Sequence, residues 1–382
     1  MIFSNFKKRK PQAATFIPFE SGFMKRVIVG LSGGVDSAVT AYLLKLAGCD
    51  VIGVTLRTWQ SAEGRESRCC EITDARNIAD QLEIPYYVVN CLTEFREQIT
   101  VPFVKAYLSG KTPNPCILCN RNIKWRKLLE FAEMQSADSV ATGHYATVLQ
   151  LPDGRYTVRQ AVHHAKDQTY MLCRLTQEQL RRTIMPLGNL TKQEVRQIAE
   201  QAGLPVAHKQ DSQEICFVTD GHYSDFIEEH AEQDLPPQGE FVNQSGEIVG
   251  QHQGIYRYTI GQRKGLGIAL GMPAYVQKIC ADTNQIILSS EPELYQNTVI
   301  CSDVSFMGIA GLHCGETLRA NVKIRYHHPP QSASVTVLPD GNLRIRFEQP
   351  VRAPAPGQTA VLYNDNACVI GCGTIVCADF IK

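Results

Sequence analysis

The 382-residue chain has no excess of either charge: 38 Lys and Arg stand against 38 Asp and Glu. That excludes a protein held to nucleic acid by bulk charge, so an RNA partner would need a local basic face. No apolar stretch reaches the roughly 20 residues that a membrane-spanning helix requires, and no membrane partner is expected. The 14 cysteines are scattered and no secretory signal precedes them. The expectation is a cytoplasmic, reducing setting, where thiols serve as core residues, metal ligands or nucleophiles. There is no Walker pattern G-x-x-x-x-G-K-[ST], no second C-x-x-C to complete a four-cysteine zinc site, no internal repeat and no low-complexity tract.

What is present is a strand running into a loop that suits phosphate: Val27-Ile28-Val29-Gly30-Leu31-Ser32-Gly33-Gly34-Val35-Asp36-Ser37. The apolar run reads as a buried parallel strand. Ser32-Gly33-Gly34 lets the backbone turn tightly and approach a ligand with no Cβ in the way. Ala38 to Leu46 reads as the following helix, whose unpaired N–H groups and positive dipole end make an anion site. Ser32 and Ser37 add hydroxyls. Asp36 suits either a Mg²⁺ bridge or a hydrogen bond that orients the loop.

The apolar share of 44% and the length point to two or three globular domains. Residues 1–24, with Lys7-Lys8-Arg9-Lys10, show no periodicity and are expected to be a disordered tail. From Lys25 to Tyr145, strands and helices alternate: Val51–Leu56, Tyr86–Val89 and Ser139–Thr142 as strands, Thr73–Leu82, Phe95–Tyr107 and Ile123–Met134 as helices. That alternation implies a parallel sheet with helices on both faces and ligands at the carboxyl ends of strands. A hairpin is predicted over Val148–Val158, and a helix over Thr191–Ala202 opened by a Thr191/Glu194 capping box. Asp211–Val218 reads as loop and strand. From Gly221 onward glycine turns and short strands predominate, ending in a small barrel or sandwich. The boundaries follow: a nucleotide domain over 25–220, a β-rich central domain over 221–296 and a C-terminal barrel over 297–382.

Lys111-Thr112-Pro113-Asn114-Pro115-Cys116-Ile117-Leu118-Cys119-Asn120 carries two prolines and reads as a stiff loop rather than a helix. A helix starting just past Cys119, with Arg121 and Lys124 near, would lower a thiol pKa. The C-x-x-C pair taken alone fits half a zinc site or two incidental thiols equally well. Cys216 lies far downstream in Asp211-Ser212-Gln213-Glu214-Ile215-Cys216-Phe217. Cys49, Cys91, Cys173, Cys280, Cys301, Cys314, Cys368, Cys372 and Cys377 read as small buried hydrophobes. His163-His164 and His327-His328 suit loop surface or RNA contact.

The loop S-G-G-V-D-S resembles the pyrophosphate loop (PP-loop) of ATP pyrophosphatases, which cleave ATP to AMP and pyrophosphate. Together with T-P-N-P-x-x-x-C-N, A-T-G-H-Y, K-D-Q-T-Y, D-S-Q-E-I-C-F and Y-T-I-G-Q-R-K-G-L-G it resembles the tRNA-specific 2-thiouridylases of the MnmA/TrmU family. The likeness runs from Lys25 to the C-terminus. It implies an α/β fold: a parallel-sheet PP-loop domain, a small β-rich domain and a C-terminal β-barrel that binds tRNA. It also implies ATP- and Mg²⁺-dependent 2-thiolation of the wobble uridine of tRNA, with sulfur from a persulfide donor protein, a cysteine desulfurase or a relay protein.

By the same resemblance, Gly30, Leu31, Ser32, Gly33, Gly34, Val35, Asp36, Ser37, Leu56 and Gly143 would bind ATP. Asn114, Pro115 and Cys116 would surround the target base. His144, Lys166, Asp167, Gln168, Arg325, Tyr326 and Gln358 would contact tRNA. Cys216 would carry the persulfide, Cys119 would be its partner, and Cys119–Cys216 the transient disulfide. Many family members carry Asp where this chain has Cys116. A thiol there either serves as acid/base or joins Cys119 and Cys216 in holding a [4Fe–4S] cluster as sulfur carrier. Lys323 and Arg325 are expected on one face of a strand, and the aromatics and cations of Tyr256–Gly267 suit RNA. Two rival readings stay open: another PP-loop ATP-dependent synthetase, and a non-catalytic RNA-binding iron–sulfur protein.

Overall fold

The computed structural model describes residues 25–61, 64, 66–67, 70–209, 215–219, 221–269 and 271–378. The tail at 1–24 lies outside the described residues, as does Asp211-Ser212-Gln213-Glu214. The chain divides into two compact units. One comprises the described residues of Met1–Thr93 and Asn120–Thr219, the other those of Glu94–Cys119 and Asp220–Lys382.

The first unit is built on five parallel strands: β1 (Arg26–Gly30), β2 (Asp50–Arg57), β3 (Tyr86–Asn90), β4 (Ser139–Ala141) and β7 (Thr183–Ile184), in the order β3-β2-β1-β4-β7. β5 (Ala146–Gln150) and β6 (Tyr156–Gln160) form a separate antiparallel hairpin. β1 is central, flanked by β2 and β4, and its Val27, Ile28 and Val29 are wholly buried. Residues covered on both faces read as an unbroken apolar run, which is why this strand shows no alternation. Helix Val35–Leu46 follows β1 and buries Val39, Leu43 and Leu44 in a cluster that also takes in Val195, Ile198 and Ala199 of helix Lys192–Gln201. The Thr191/Glu194 capping box forms as expected, side chain to backbone in both directions.

In the second unit, β8 (Gly239–Val242), β9 (Ile248–His252), β10 (Tyr275–Cys280) and β11 (Gln285–Ser289) make a sheet ordered β10-β11-β8-β9. β12 (Tyr295–Phe306), β13 (Thr317–Lys323), β14 (Gln331–Val337), β15 (Leu343–Arg352), β16 (Thr359–Tyr363) and β17 (Val369–Ala378) close into a barrel ordered β12-β15-β14-β13-β16-β17. On β15, Leu343, Ile345 and Phe347 point inward and Arg344, Arg346 and Glu348 outward, the period-two signature of a strand with one wet face. Closure removes the exposed edges that an open antiparallel sheet would leave.

Several expectations are corrected. Pro115–Cys119 is helical, not loop. Proline is tolerated at the first helical position because its missing N–H would have no intrahelical partner there. Asn114 Oδ1 then accepts the Cys116 N–H at 3.2 Å, the usual service of an Asn at a helix start. Helix Tyr223–His230 stands at the start of a stretch expected to be β-rich, stacking Tyr223 on Tyr107 and Phe226 edge-on to Phe103. The tract Ile215–Thr219 is a turn, not a strand. Tyr256 and Tyr258 are buried core residues rather than an RNA-facing surface. Cys314 and Cys377 are exposed and Cys49 and Cys280 half-buried, so these four are not core thiols.

Candidate active site

The loop from Gly30 to Ser37 is shaped by its own hydroxyls and by glycines where a side chain would clash. Ser37 Oγ donates to the Gly34 carbonyl at 3.0 Å and accepts the Ser32 N–H at 3.2 Å. The Ser32 and Ser37 hydroxyls lie 3.2 Å apart. Thr55 Oγ1 on β2 donates to the Leu31 carbonyl at 2.7 Å, and Leu31 N–H reaches the Val54 carbonyl. Gly33 has φ +77°, and a Cβ there would lie 2.7 Å from the Glu71 carbonyl oxygen. Gly34, the N-cap of helix Val35–Leu46, brings no side chain to the first-turn N–H groups. Those groups, at the positive end of a 12-residue helix, are what an anion would meet. Ser37 is buried, so its hydroxyl shapes the loop in this conformation. Leu56 is nearly buried on β2, and core packing already accounts for it.

Two lysines far along the chain reach this loop, and sequence reasoning missed both. Lys192 Nζ lies 2.8 and 2.9 Å from the two Asp36 carboxylate oxygens. Lys209 Nζ donates to the Gly33 carbonyl at 3.2 Å and pairs with Glu71 and Asp74. Burial opposes the Lys209 charge, but the bonds to Asp74 and Glu71 outweigh it and hold its pKa above the ordinary lysine value. A carboxylate in the first turn of the helix, Asp36, calls for a cation from elsewhere, but nothing in the sequence singles out which lysine supplies it.

Of the two roles open to Asp36, the orienting hydrogen bond is seen. Tyr145 Oη donates to Asp36 Oδ1 at 2.8 Å, and Lys192 sits over the Tyr145 ring. Gly143, two residues before Tyr145, is pressed against the loop; a Cβ there would lie 2.7 Å from the Asp36 carbonyl carbon and 2.8 Å from Ser37 N. His144 packs on Trp125 with ring centroids 5.3 Å apart, and its Nδ1 is 2.9 Å from Thr142 Oγ1. Burial, helped by the Lys124 ammonium, brings its pKa down to about 3, so His144 is a neutral ring at physiological pH.

Lys166, Asp167 and Gln168 are drawn to the same place but not as three exposed contacts. Asp167 is buried and accepts from Ala161 N–H and from the Thr169 hydroxyl. Gln168 Oε1 accepts the Tyr145 N–H at 3.0 Å while its own N–H reaches the Tyr145 carbonyl. Lys166 is half-buried at the end of a single 3₁₀ turn. Asp167 and Gln168 thus build the loop that presents Lys166 and Tyr145.

In the second unit, Gln358 Nε2 donates to the Thr112 carbonyl at 2.8 Å across 246 residues. Thr112 N–H reaches the Pro356 carbonyl, and Gly357, φ +92°, leaves no room for a side chain beside Thr112. The barrel therefore braces the segment that carries Asn114, Pro115 and Cys116. Cys116 and Cys119 fall three residues apart on one helix face; Cys116 is half-buried and Cys119 buried. The helix starts at Pro115, so the positive end of its dipole faces Cys116 and not Cys119, contrary to expectation. A π-helical stretch, Asn120–Trp125, follows directly, and such stretches recur at functional sites.

Arg325 lies beyond the end of β13, not on it, so it does not share a strand face with Lys323. Its Nη2 donates to the carbonyls of Ile260 and Ala353. Tyr326 is half-buried beside His327, with the Lys323 ammonium over its ring. Cys216, in the first unit, is half-buried in the turn at Ile215–Val218. Among the described residues, no three or more His, Cys, Asp or Glu side chains are gathered to hold a metal ion.

Three family models match in series: the tRNA methyl transferase HUP domain over 25–220, the tRNA methyl transferase PRC-barrel domain over 224–290 and the aminomethyltransferase β-barrel domain over 296–375. The tRNA-specific 2-thiouridylase MnmA of Lachnoclostridium phytofermentans is 47% identical over 360 residues, 92% of this chain and 100% of that protein. The chain belongs to the tRNA-specific 2-thiouridylase MnmA family. A second member of that family, from Clostridium beijerinckii, is 45% identical over 357 residues, 92% of this chain and 98% of its own length. Among solved structures, the U34-tRNA thiolase NcsA from Methanococcus maripaludis with its [4Fe–4S] cluster matches 54% of this chain and 63% of its own. At 20% identity and a TM-score of 0.34 that likeness is too weak to argue from. The three family models run in series from the first strand through the closed barrel, over residues 25–220, 224–290 and 296–375.

Proposed function

We propose that this chain makes 2-thiouridine at the wobble position of tRNA, using ATP to activate the base. The observation that carries the reading is full-length identity near one-half to named 2-thiouridylases, on a chain whose first strand ends in a phosphate loop. A uracil C2 oxygen leaves poorly. Transfer of AMP to that oxygen releases pyrophosphate and turns the oxygen into a good leaving group. The terminal sulfur of a cysteine persulfide then attacks C2 and AMP departs with its electron pair. A second thiolate cleaves the S–S bond, leaving sulfur on the base and a disulfide on the protein, which a thiol reductant resets.

Cys216 is our choice for the persulfide and Cys119 for the second thiol, the pair forming the transient disulfide. The persulfide would come from a cysteine desulfurase or relay protein in a reducing cytosol. Among the described residues no helix is long and apolar enough to cross a membrane. Asn114, Pro115 and Cys116 would meet the extruded base, as base-modifying enzymes require, and Lys166, Arg325, Tyr326 and Gln358 would meet the tRNA directly or through the loops they brace. Neutral His144 suits stacking or a hydrogen bond rather than phosphate attraction. Both Asp36 oxygens face Lys192, so Mg²⁺ would ride on the phosphates. The donor set for a [4Fe–4S] cluster is not assembled among the described residues.

The test is mass spectrometry of tRNA wobble nucleosides after incubation with ATP, Mg²⁺ and a sulfur source. A gain of one sulfur for one oxygen at the wobble uridine, dependent on ATP, supports the reading. ATP cleavage that instead consumes ammonia or an amine and leaves the tRNA unchanged would replace it with a PP-loop synthetase.

A further inference from the structure

A loop that takes a polyphosphate carries a carboxylate, Asp36, in the first turn of the helix that follows it. Left unneutralised, that charge would repel the ligand. The neutralising group comes from the first residue of a different helix: Lys192 pairs with both Asp36 oxygens at 2.8 and 2.9 Å. A lysine is poorly placed at that position, because the positive end of the helix dipole disfavours a cation. Thr191 caps the same helix through its side chain, so the helix start does not need the lysine. The Lys192 side chain is only 13% exposed, and Tyr145 Oη fixes the same carboxylate from another side.

We propose that Lys192 is a positioning residue for ATP: it cancels the Asp36 charge and, with Tyr145, sets that carboxylate so that the loop N–H groups can take the triphosphate. The inference rests on the ATP reading above and deepens it. A unit repulsion across about 6 Å at an effective dielectric of about 40 amounts to about 1.4 kcal/mol, or about tenfold in ATP affinity.

The experiment is equilibrium binding of ATP, without turnover, to the full chain as wild type, Lys192→Met, Lys192→Arg, Asp36→Asn and the Lys192→Met/Asp36→Asn double variant. Lys192→Met should lose about tenfold, Lys192→Arg should keep most of the affinity, and Asp36→Asn should restore most of the loss in the Lys192→Met background. A purely structural lysine would not be rescued by removing its partner's charge. The double variant carries no unpaired buried charge, so it reports even where Lys192→Met folds poorly. Unchanged affinity in Lys192→Met overturns the inference. So does a loss that Asp36→Asn leaves in place, which would make Lys192 a direct phosphate ligand. Wild-type protein that binds no ATP overturns the ATP reading and this inference together.

Discussion

Three glycines meet at the phosphate loop, and the structure ranks their replacement by alanine. Gly33 has φ +77°, and its added Cβ would stand 2.7 Å from the Glu71 carbonyl oxygen and 2.9 Å from Glu71 Cβ. The left-handed backbone costs a residue with a side chain about 1–2 kcal/mol, and the overpacking about 1–3 kcal/mol more. Gly143 has no such backbone demand. Its Cβ would press on backbone of the loop itself, 2.7 Å from the Asp36 carbonyl carbon and 2.8 Å from Ser37 N, for about 1–3 kcal/mol. Gly34 sits at φ −99°, with only Ser32 Oγ near, at 3.4 Å. Alanine fits there, and the loss of unfolded-state freedom, about 0.4–1 kcal/mol in its favour, offsets the poorer capping of alanine at an N-cap. Urea unfolding should therefore rank Gly33→Ala as most destabilised, Gly143→Ala next and Gly34→Ala near or above wild type. ATP affinity should fall in the first two, since relief of either clash moves the loop N–H groups. If Gly33→Ala unfolds within about 0.5 kcal/mol of wild type, inside the ordinary range of surface changes, the loop geometry argued above is wrong.

Other outcomes follow from single contacts. His144 has a folded pKa of about 3, below its ordinary value, so only the unfolded chain takes up its proton between those two values. Its contribution is then full above the ordinary histidine pKa and is lost as pH falls, at up to about 1.4 kcal/mol per pH unit. The His144 ring protons should show no NMR titration between about pH 5 and 8, the range in which an unperturbed histidine titrates; a midpoint near the ordinary value would refute the neutral ring. Gln358→Ala removes the donor to the Thr112 carbonyl and should cost about 1 kcal/mol. If the brace positions the base-binding segment, KM for tRNA rises while KM for ATP holds, and equal rises in both would refute that. Cys216→Ser should lose thiolation yet retain tRNA-dependent release of pyrophosphate; loss of both would assign Cys216 a structural part.

The parallel sheet and the closed barrel were legible because their signals are local. Buried parallel strands read as apolar runs, and barrel strands as alternation broken by glycine turns. The capping box at Thr191 and Glu194 was legible for the same reason: both partners lie within four residues. Lys192 and Lys209 were not, since each meets the phosphate loop across more than 150 residues and neither position differs in sequence from a solvated surface lysine. Gln358 bracing Thr112 is a contact of the same long-range kind. Arg325 failed in another way: alternation was extended past the end of β13, where the chain turns and the guanidinium folds back onto backbone carbonyls.

The reading of Lys111–Asn120 failed for a reason that changes the chemistry. Two prolines were taken to exclude helix, but only a proline inside a helix does so; at the first position it starts one. Beginning the helix at Pro115 moves Cys116 into the first turn and Cys119 to a buried place one turn on. A thiol in the first turn faces the N–H groups that stabilise a thiolate, whereas a thiol deeper in apolar surroundings is held protonated. The two cysteines of one C-x-x-C are therefore unequal. Half-buried Cys116 lies in the first turn, and Cys119 is buried one turn further on. Alkylation of the full chain separates these outcomes. Iodoacetamide should modify Cys116 ahead of Cys119 in the absence of tRNA, and the preference should hold when Cys216 is replaced by Ser. Faster modification of Cys119 would mean that the helix start does not set thiol reactivity at this site.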